Sequence, residues 1–290
     1  MRRMIFRMCA AAVVLIPVPL LSAPAADSKT VLVSVVAAAS GPVGDLSPAD
    51  VRMQEGRTPV EVTGVASAGG PISVSLVLDT SYPMGRFPPT QDLRRGVTSF
   101  VSAVRSAAPD AQFSLYSVSN AAIPLCDFTA DPARIADAIA HLVVGTQAAS
   151  PMLEGVVDAS HALERRPPPR RAIVAVSFGS TEAGAERPVD VAADLLKSGA
   201  TLWTVSVTGT GDVAQSVARD EVWSRVTAGS GGMGIRVVQA SGLETQMKIV
   251  ANTLASQYTV TFARKRDGPV EQLAGETTTG AKILFSHWVR

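Results

Sequence analysis

The residues best placed to do chemistry are Asp79 and Ser81, in the run Val77-Leu78-Asp79-Thr80-Ser81-Tyr82-Pro83-Met84. The stretch Ile72 to Leu78 before them is apolar and rich in β-branched residues, as in a central strand buried on both faces. In an open α/β sheet, ligands bind at the carboxyl ends of the strands. A carboxylate and a hydroxyl delivered there together are hard oxygen ligands suited to Mg²⁺. Other motifs carry less. Gly229-Ser230-Gly231-Gly232-Met233-Gly234 fits G-x-G-x-x-G, but it follows a helical segment and precedes a strand, the reverse of a dinucleotide fingerprint. Gly209-Thr210-Gly211-Asp212 follows a strand, yet no acidic residue closes the next strand to hold a ribose. His141, His161 and His287 lack metal-type spacing, and no G-x-S-x-G elbow accompanies them, so a hydrolytic triad has little support. Cys126 has no basic neighbour to form a thiolate and reads as a small buried hydrophobe. Arg165, Arg166, Arg170 and Arg171 flank three prolines and read as a solvated loop.

The elements that position Asp79 and Ser81 follow from periodicity. From Thr30 to Val65, short alternating stretches broken by Gly, Pro and Asp predict β-hairpins. After the break at Ser67 to Pro71, strands and helices alternate. Strands are expected at 72–78, 111–118, 172–177, 201–207 and 235–238. Helices are expected at 91–106, 131–143, 151–164, 188–197, 213–228 and 243–256. Asp131-Pro132 supplies a cap and first-turn residue, and Ser150 is expected to cap the helix after it. Such alternation predicts a mostly parallel, doubly wound sheet with helices on both faces, a Rossmann-like arrangement. Two last β segments, 258–263 and 281–288, do not continue it and are expected to pair with the N-terminal strands as a small β-sandwich.

Composition narrows the function. The chain has 290 residues, 47% hydrophobic, 18% charged and 5% aromatic, too apolar for disorder and too poor in aromatics for a stacking nucleic-acid binder. A net charge of +1 implies no general affinity for polyanions, and three His with two Cys argue against a multi-ligand zinc or haem site. The N-terminus carries Arg2, Arg3 and Arg7, then an apolar run from Cys9 to Leu21, then Ser-Ala-Pro-Ala-Ala. That order is a secretory signal with cleavage expected after Ala25, and the run is too short to span a bilayer. The mature chain is therefore expected outside the cytoplasm, secreted or periplasmic, with no transmembrane segment.

The Asp79-x-Ser81 pattern at a strand exit resembles the von Willebrand factor type A domain, whose metal-ion-dependent adhesion site begins D-x-S-x-S. Asp79 and Ser81 match and Met84 fits, but Pro83 stands where the second Ser belongs. The resemblance places the family's Thr element at Ser150, in Ser150-Pro151-Met152-Leu153-Glu154-Gly155, and its Asp-Gly element at Ser177-Phe178-Gly179, where Phe178 has no oxygen to offer. Glu182 is the one nearby carboxylate that could substitute. The Gly41 to Val51 segment and the Gln257-Tyr258 strand further resemble secreted, acidobacterial-type members, so the likeness spans roughly residues 29 to 288. It implies a signal peptide at 1–25, an N-terminal hairpin unit at 29–66, an A-type domain at 71–256 and C-terminal strands at 257–290. It also implies a non-enzymatic adhesion or scaffold module with a protein partner and a degenerate metal site at Asp79, Ser81 and Ser150. The expected cofactor is none, or at most weak Mg²⁺. Two alternatives stand beside this reading: a working Mg²⁺-dependent adhesion site, and a secreted hydrolase with an unrecognised constellation.

Overall fold

The computed structural model describes residues 27–36, 45–81, 89–208, 216–264 and 268–290. The expected signal peptide, Pro83, Met84 and the 209–214 glycine motif lie outside the described residues, as do the first four residues of the Gly41 to Val51 segment.

The central strand β4 (Ser73–Asp79) is buried at every position, as its near-continuous apolar sequence requires. It lies between β5 (Gln112–Val118) and β8 (Arg171–Ser177), both parallel to it; β10 (Thr201–Val207) and β11 (Gly234–Val237) extend the parallel set beyond β8. Helices α1 (Pro89–Ala107), α2 (Pro132–Ala140) and α6 (Leu243–Ala255) cover one face, around a core that includes Leu76, Phe100, Phe113, Ile135 and Leu243. The other face is covered by α3 (Met152–Glu164), α4 (Pro188–Ser198) and α5 (Val217–Glu221). The last of these runs on through a π-helical stretch, Val222–Val226, into a final turn, Thr227–Gly229. The sheet is closed on the β5 side by β6 (Ala122–Thr129), an antiparallel edge strand not expected from the sequence. Pro124 within it argues against a strand, but proline is tolerated on an edge, where one row of backbone groups has no ladder to complete.

The remaining strands form the second unit. β1 (Asp27–Val36) pairs antiparallel with β12 (Tyr258–Arg264) on one side and with β14 (Lys282–Val289) on the other. β2 (Val51–Glu55) and β3 (Thr58–Ser67) form a hairpin, and β13 (Leu273–Thr277) joins β2 to β14. The N- and C-terminal strands thus associate as expected, but the six close into a barrel rather than stacking as two sheets. The cause is β1, long enough at ten residues to be bonded along both edges. Val31, Val33, Val260 and Phe262 fill the interior, and Arg264 forms a buried two-bond ion pair with Glu55, 2.7 and 3.0 Å.

The arginine-rich loop after α3 is not simply solvated. Arg170 is 6% exposed and donates to the Leu254 and Ala255 carbonyls at the end of α6. Arg171 donates to Ser198 O at the end of α4, 2.7 Å, and to Glu164 O at the end of α3, 3.3 Å. Helix carboxyl ends leave unsatisfied carbonyls and partial negative charge, so guanidinium groups placed there are favoured. No helix among the described residues is long and apolar enough to cross a membrane.

Candidate functional site

Asp79 ends β4, and its buried carboxylate is saturated by four donors. Oδ1 accepts from the Ser81 backbone N–H, 3.0 Å, and from Ser81 Oγ, 2.6 Å. Oδ2 accepts from the Phe178 N–H, 3.1 Å, and from Ser180 Oγ, 2.6 Å. Ser180 is in turn 2.7 Å from Ser150 Oγ, so a chain of hydroxyls links Asp79 to Ser150 across the top of the sheet. Ser150 sits in a two-residue strand, β7 (Ala149–Ser150), paired in parallel with β9 (Thr181–Glu182). It does not cap α3 as expected: Pro151 holds the cap position with no side-chain bond, and the Ser150 hydroxyl is drawn to Ser180 instead.

A cation already stands against this cluster. Arg219, on the inward side of α5 with Val222 one turn on, reaches over β7 and β9. Its Nη1 donates to Ser180 O, 2.5 Å, and Ser180 Oγ, 2.9 Å; its Nη2 donates to Ser150 O, 2.8 Å, and Ser150 Oγ, 3.4 Å. Its Nε is 2.9 Å from Glu182 Oε2, in an ion pair whose side chains are 6% and 4% exposed. The planar guanidinium fork suits such multiple bonding, and a buried charge is tolerable when it is both paired and fully hydrogen-bonded. Thr80 completes the floor: its carbonyl accepts from Gly145 N–H, 2.6 Å, and its hydroxyl lies 2.7 Å from Ser117 Oγ.

No protein-family model and no curated protein matches the sequence. Solved structures do. A von Willebrand factor type A protein from Catenulispora acidiphila superposes with a TM-score of 0.52 at 10% identity, over 93% of this chain and 74% of its own. The fold is that of a von Willebrand factor type A domain. Proximal thread matrix protein 1 from the mussel byssus, with a zinc-occupied MIDAS motif, matches at a TM-score of 0.54 and 16% identity, over 69% of this chain and 50% of that one. A mutant of the PilB minor pilin from Streptococcus sanguinis gives 0.50 at 11% identity, over 65% and 62%.

Within the A-type fold, the three residues singled out from sequence fall together. Asp79 and Ser81 bond directly, and Ser150 joins them through Ser180. Phe178, at the position where the resemblance places an Asp, turns its side chain into the core and offers Asp79 its backbone N–H. Glu182 does come to the site, but faces Arg219 rather than Asp79. Sequence reasoning missed Ser180 and Arg219. The first hides two residues past Phe178, in a motif whose expected acid is missing. The second was legible only as a charged residue three positions before Val222, on the buried side of a helix.

Proposed function

We propose that the mature chain is an exported, non-enzymatic protein-interaction module, an adhesion or scaffold domain, that works without a divalent cation. The observation that carries this reading is Arg219, whose guanidinium brings positive charge to the Ser150 and Ser180 oxygens and to Glu182. Mg²⁺ needs near-octahedral oxygen coordination and keeps several waters. The residues here do not fit that demand. Both Asp79 oxygens are committed to protein donors, and a divalent ion beside Ser150 and Ser180 would meet a guanidinium a few ångströms away. The mussel protein carries a zinc-occupied MIDAS motif, whereas this chain has Pro83 and Phe178 where the family pattern has its second Ser and its Asp. The alternative of a Mg²⁺-dependent adhesion site is thereby disfavoured.

The contact surface we assign is the carboxyl end of the parallel sheet. Exposed apolar side chains gather there: Ile123 beside the β5–β6 turn, Val143 beside Gly145, Val189 and Val217 at the starts of α4 and α5, and Val238 just past β11. Val143 and Val217 are 71% and 82% exposed, and apolar side chains grouped at one end of the sheet suit a contact surface. The signal-like N-terminus supports export, and cleavage after Ala25 would leave Ala26 as the first residue. The immobilised mature chain should retain a protein from its own cell envelope equally well in EDTA and in Mg²⁺, and Val143→Asp with Val217→Asp should abolish retention. Retention that requires Mg²⁺ would replace this reading with the metal-dependent one.

A further inference from the structure

The face of the sheet beneath α5 changes character toward its edge. On β8 and β10 it begins with Ile173, Ala175 and Leu202, all core residues. Two positions further along, the same face carries Ser177, Thr204 and Ser206, and on β11 it carries Gly234 and Arg236. These residues lie in register. Ser177 is opposite Ser206, Ser206 opposite Arg236, and Thr204 opposite Gly234. A sheet face under a helix is normally apolar, so a row of hydroxyls ending in a guanidinium demands a reason.

The hydrogen bonds across this row have a direction. Trp223 Nε1–H donates to Ser177 Oγ, 3.2 Å, and Ser177 Oγ–H donates to Ser206 Oγ, 3.2 Å. Each donation polarises the next, and the chain ends on the Ser206 proton, which has no acceptor among the described residues. Thr204 is 1% exposed, and its hydroxyl has no partner among the described residues either. Arg236, adjacent to Ser206, makes no ion pair or hydrogen bond among the described residues. All five residues line one cleft of about 540 Å³, which Met233 and Ile235 also line. Gly234 lets the π-helical stretch pack closely on β11, since a Cβ there would stand 2.8 Å from Trp223 O and 3.1 Å from Thr204 Oγ1. Lys282 adds a second cation at the rim and Asp220 one acid, while Arg219 is already neutralised by Glu182, so the balance is positive.

We propose that this cleft is an oxyanion-binding site. It takes the carboxylate or phosphate group of a small polar ligand, with Arg236 pairing the charge, Ser206 and Thr204 donating to its oxygens, and the Trp223 indole beside the ligand's body. Its volume exceeds that of a bare ion and falls in the range of small-molecule sites. The cleft adjoins the Asp79 cluster, with Ser180 and Arg219 on the shared wall, but its anion-binding groups, Arg236, Ser206 and Thr204, lie outside that cluster, and it stands whether or not a protein docks on the apolar rim.

The indole N–H of Trp223 reports directly on the chain of donors. In the ¹⁵N-labelled mature protein, assigned with Trp223→Phe, phosphate and acetate should be titrated separately at constant ionic strength, with chloride as control. The Trp223 indole resonance should shift saturably with at least one anion, and the stronger arm identifies the oxyanion. Arg236→Gln should weaken that binding about tenfold or more, as expected for loss of a charge-assisted hydrogen bond, and Ser206→Ala several-fold. Arg236 is exposed on a short edge strand, so its replacement leaves the core intact. No shift with either anion at tens of millimolar, or an undiminished shift in Arg236→Gln, would overturn the proposal.

Discussion

Arg219 decides how the residues around Asp79 are read. An ion pair as buried as Arg219 with Glu182 is weak evidence for net stability, but removing one partner strands the other charge in a dry site. Arg219→Ala should therefore cost roughly 3–5 kcal/mol in urea unfolding, and Arg219→Ala with Glu182→Ala less than the two single losses combined. Additive costs would mean the pair does not act as a unit. The same geometry limits any attempt to rebuild the family pattern. Pro83→Ser with Phe178→Asp restores two oxygens but leaves the guanidinium in place, so a Mg²⁺ response should appear only when Arg219 is replaced as well. Cys126 shows the opposite case, a residue whose sequence reading needs no revision. Burial pushes its thiol up, so it should resist thiol reagents until the protein unfolds, and rapid modification of the native state would show an open edge at β6. Asp79 and Ser81 were legible because strand exit and residue type coincide. Ser180 and Arg219 were not, because their role comes from a fold-back over β7 and β9 that no local periodicity encodes.

Among the elements, α3 fixes where Ser150 can stand. Gly155 lets this helix lie close on the sheet: a Cβ there would approach Val77 Cγ1 to 2.9 Å and Val118 Cγ2 to 3.0 Å. Gly155→Ala should cost about 1–3 kcal/mol through overpacking, despite alanine's better helix propensity. A neutral or stabilising result would show that α3 can shift outward freely. The main strands and helices of the sheet were legible from hydrophobic period alone, since β4, β5, β8 and β10 are short apolar runs between amphipathic helices. Two features were not. β6 carries Pro124, and its strand identity depends on pairing with β5. The arginine loop reads as charge, yet Arg170 and Arg171 are spent on carbonyls at the ends of three helices, contacts set by tertiary packing. Burial lowers the Arg170 guanidinium to about 10, still protonated at neutral pH and able to hold α6.

At the scale of the whole molecule, the barrel and the A-type sheet are tied together by side chains that no single element explains. Arg170 Nε donates to Gln257 Oε1 at 3.5 Å, Gln257 Nε2 donates to Ser34 Oγ in β1 at 3.0 Å, and β14 lies against Gly231, just past the Thr227–Gly229 turn. The association of the terminal strands was legible because neither set continues the βα alternation; closure into a barrel was not, because it depends on both edges of β1. Deleting residues 258–290 removes three of the six barrel strands and should expose 27–67 to protease; unchanged protection there would refute the pairing. Burial holds the His287 imidazole below its usual value, opposed by a backbone hydrogen bond with Gly229. The unfolded chain then binds that proton more readily, so stability should fall as pH drops below about 6.5, the ordinary His value. His287→Asn should flatten that slope between neutral pH and pH 5.5, and an unchanged slope would assign the loss to other groups. The central claim, a von Willebrand A-type fold that needs no metal, is tested most directly by thermal unfolding of the wild-type mature chain in EDTA, Mg²⁺ and Mn²⁺. A site filled at a hundredfold excess over Kd would add about 2.7 kcal/mol, several degrees for a domain of this size. The account expects the same Tm in all three solutions; a rise with Mg²⁺ or Mn²⁺ that Asp79→Ala abolishes would contradict it.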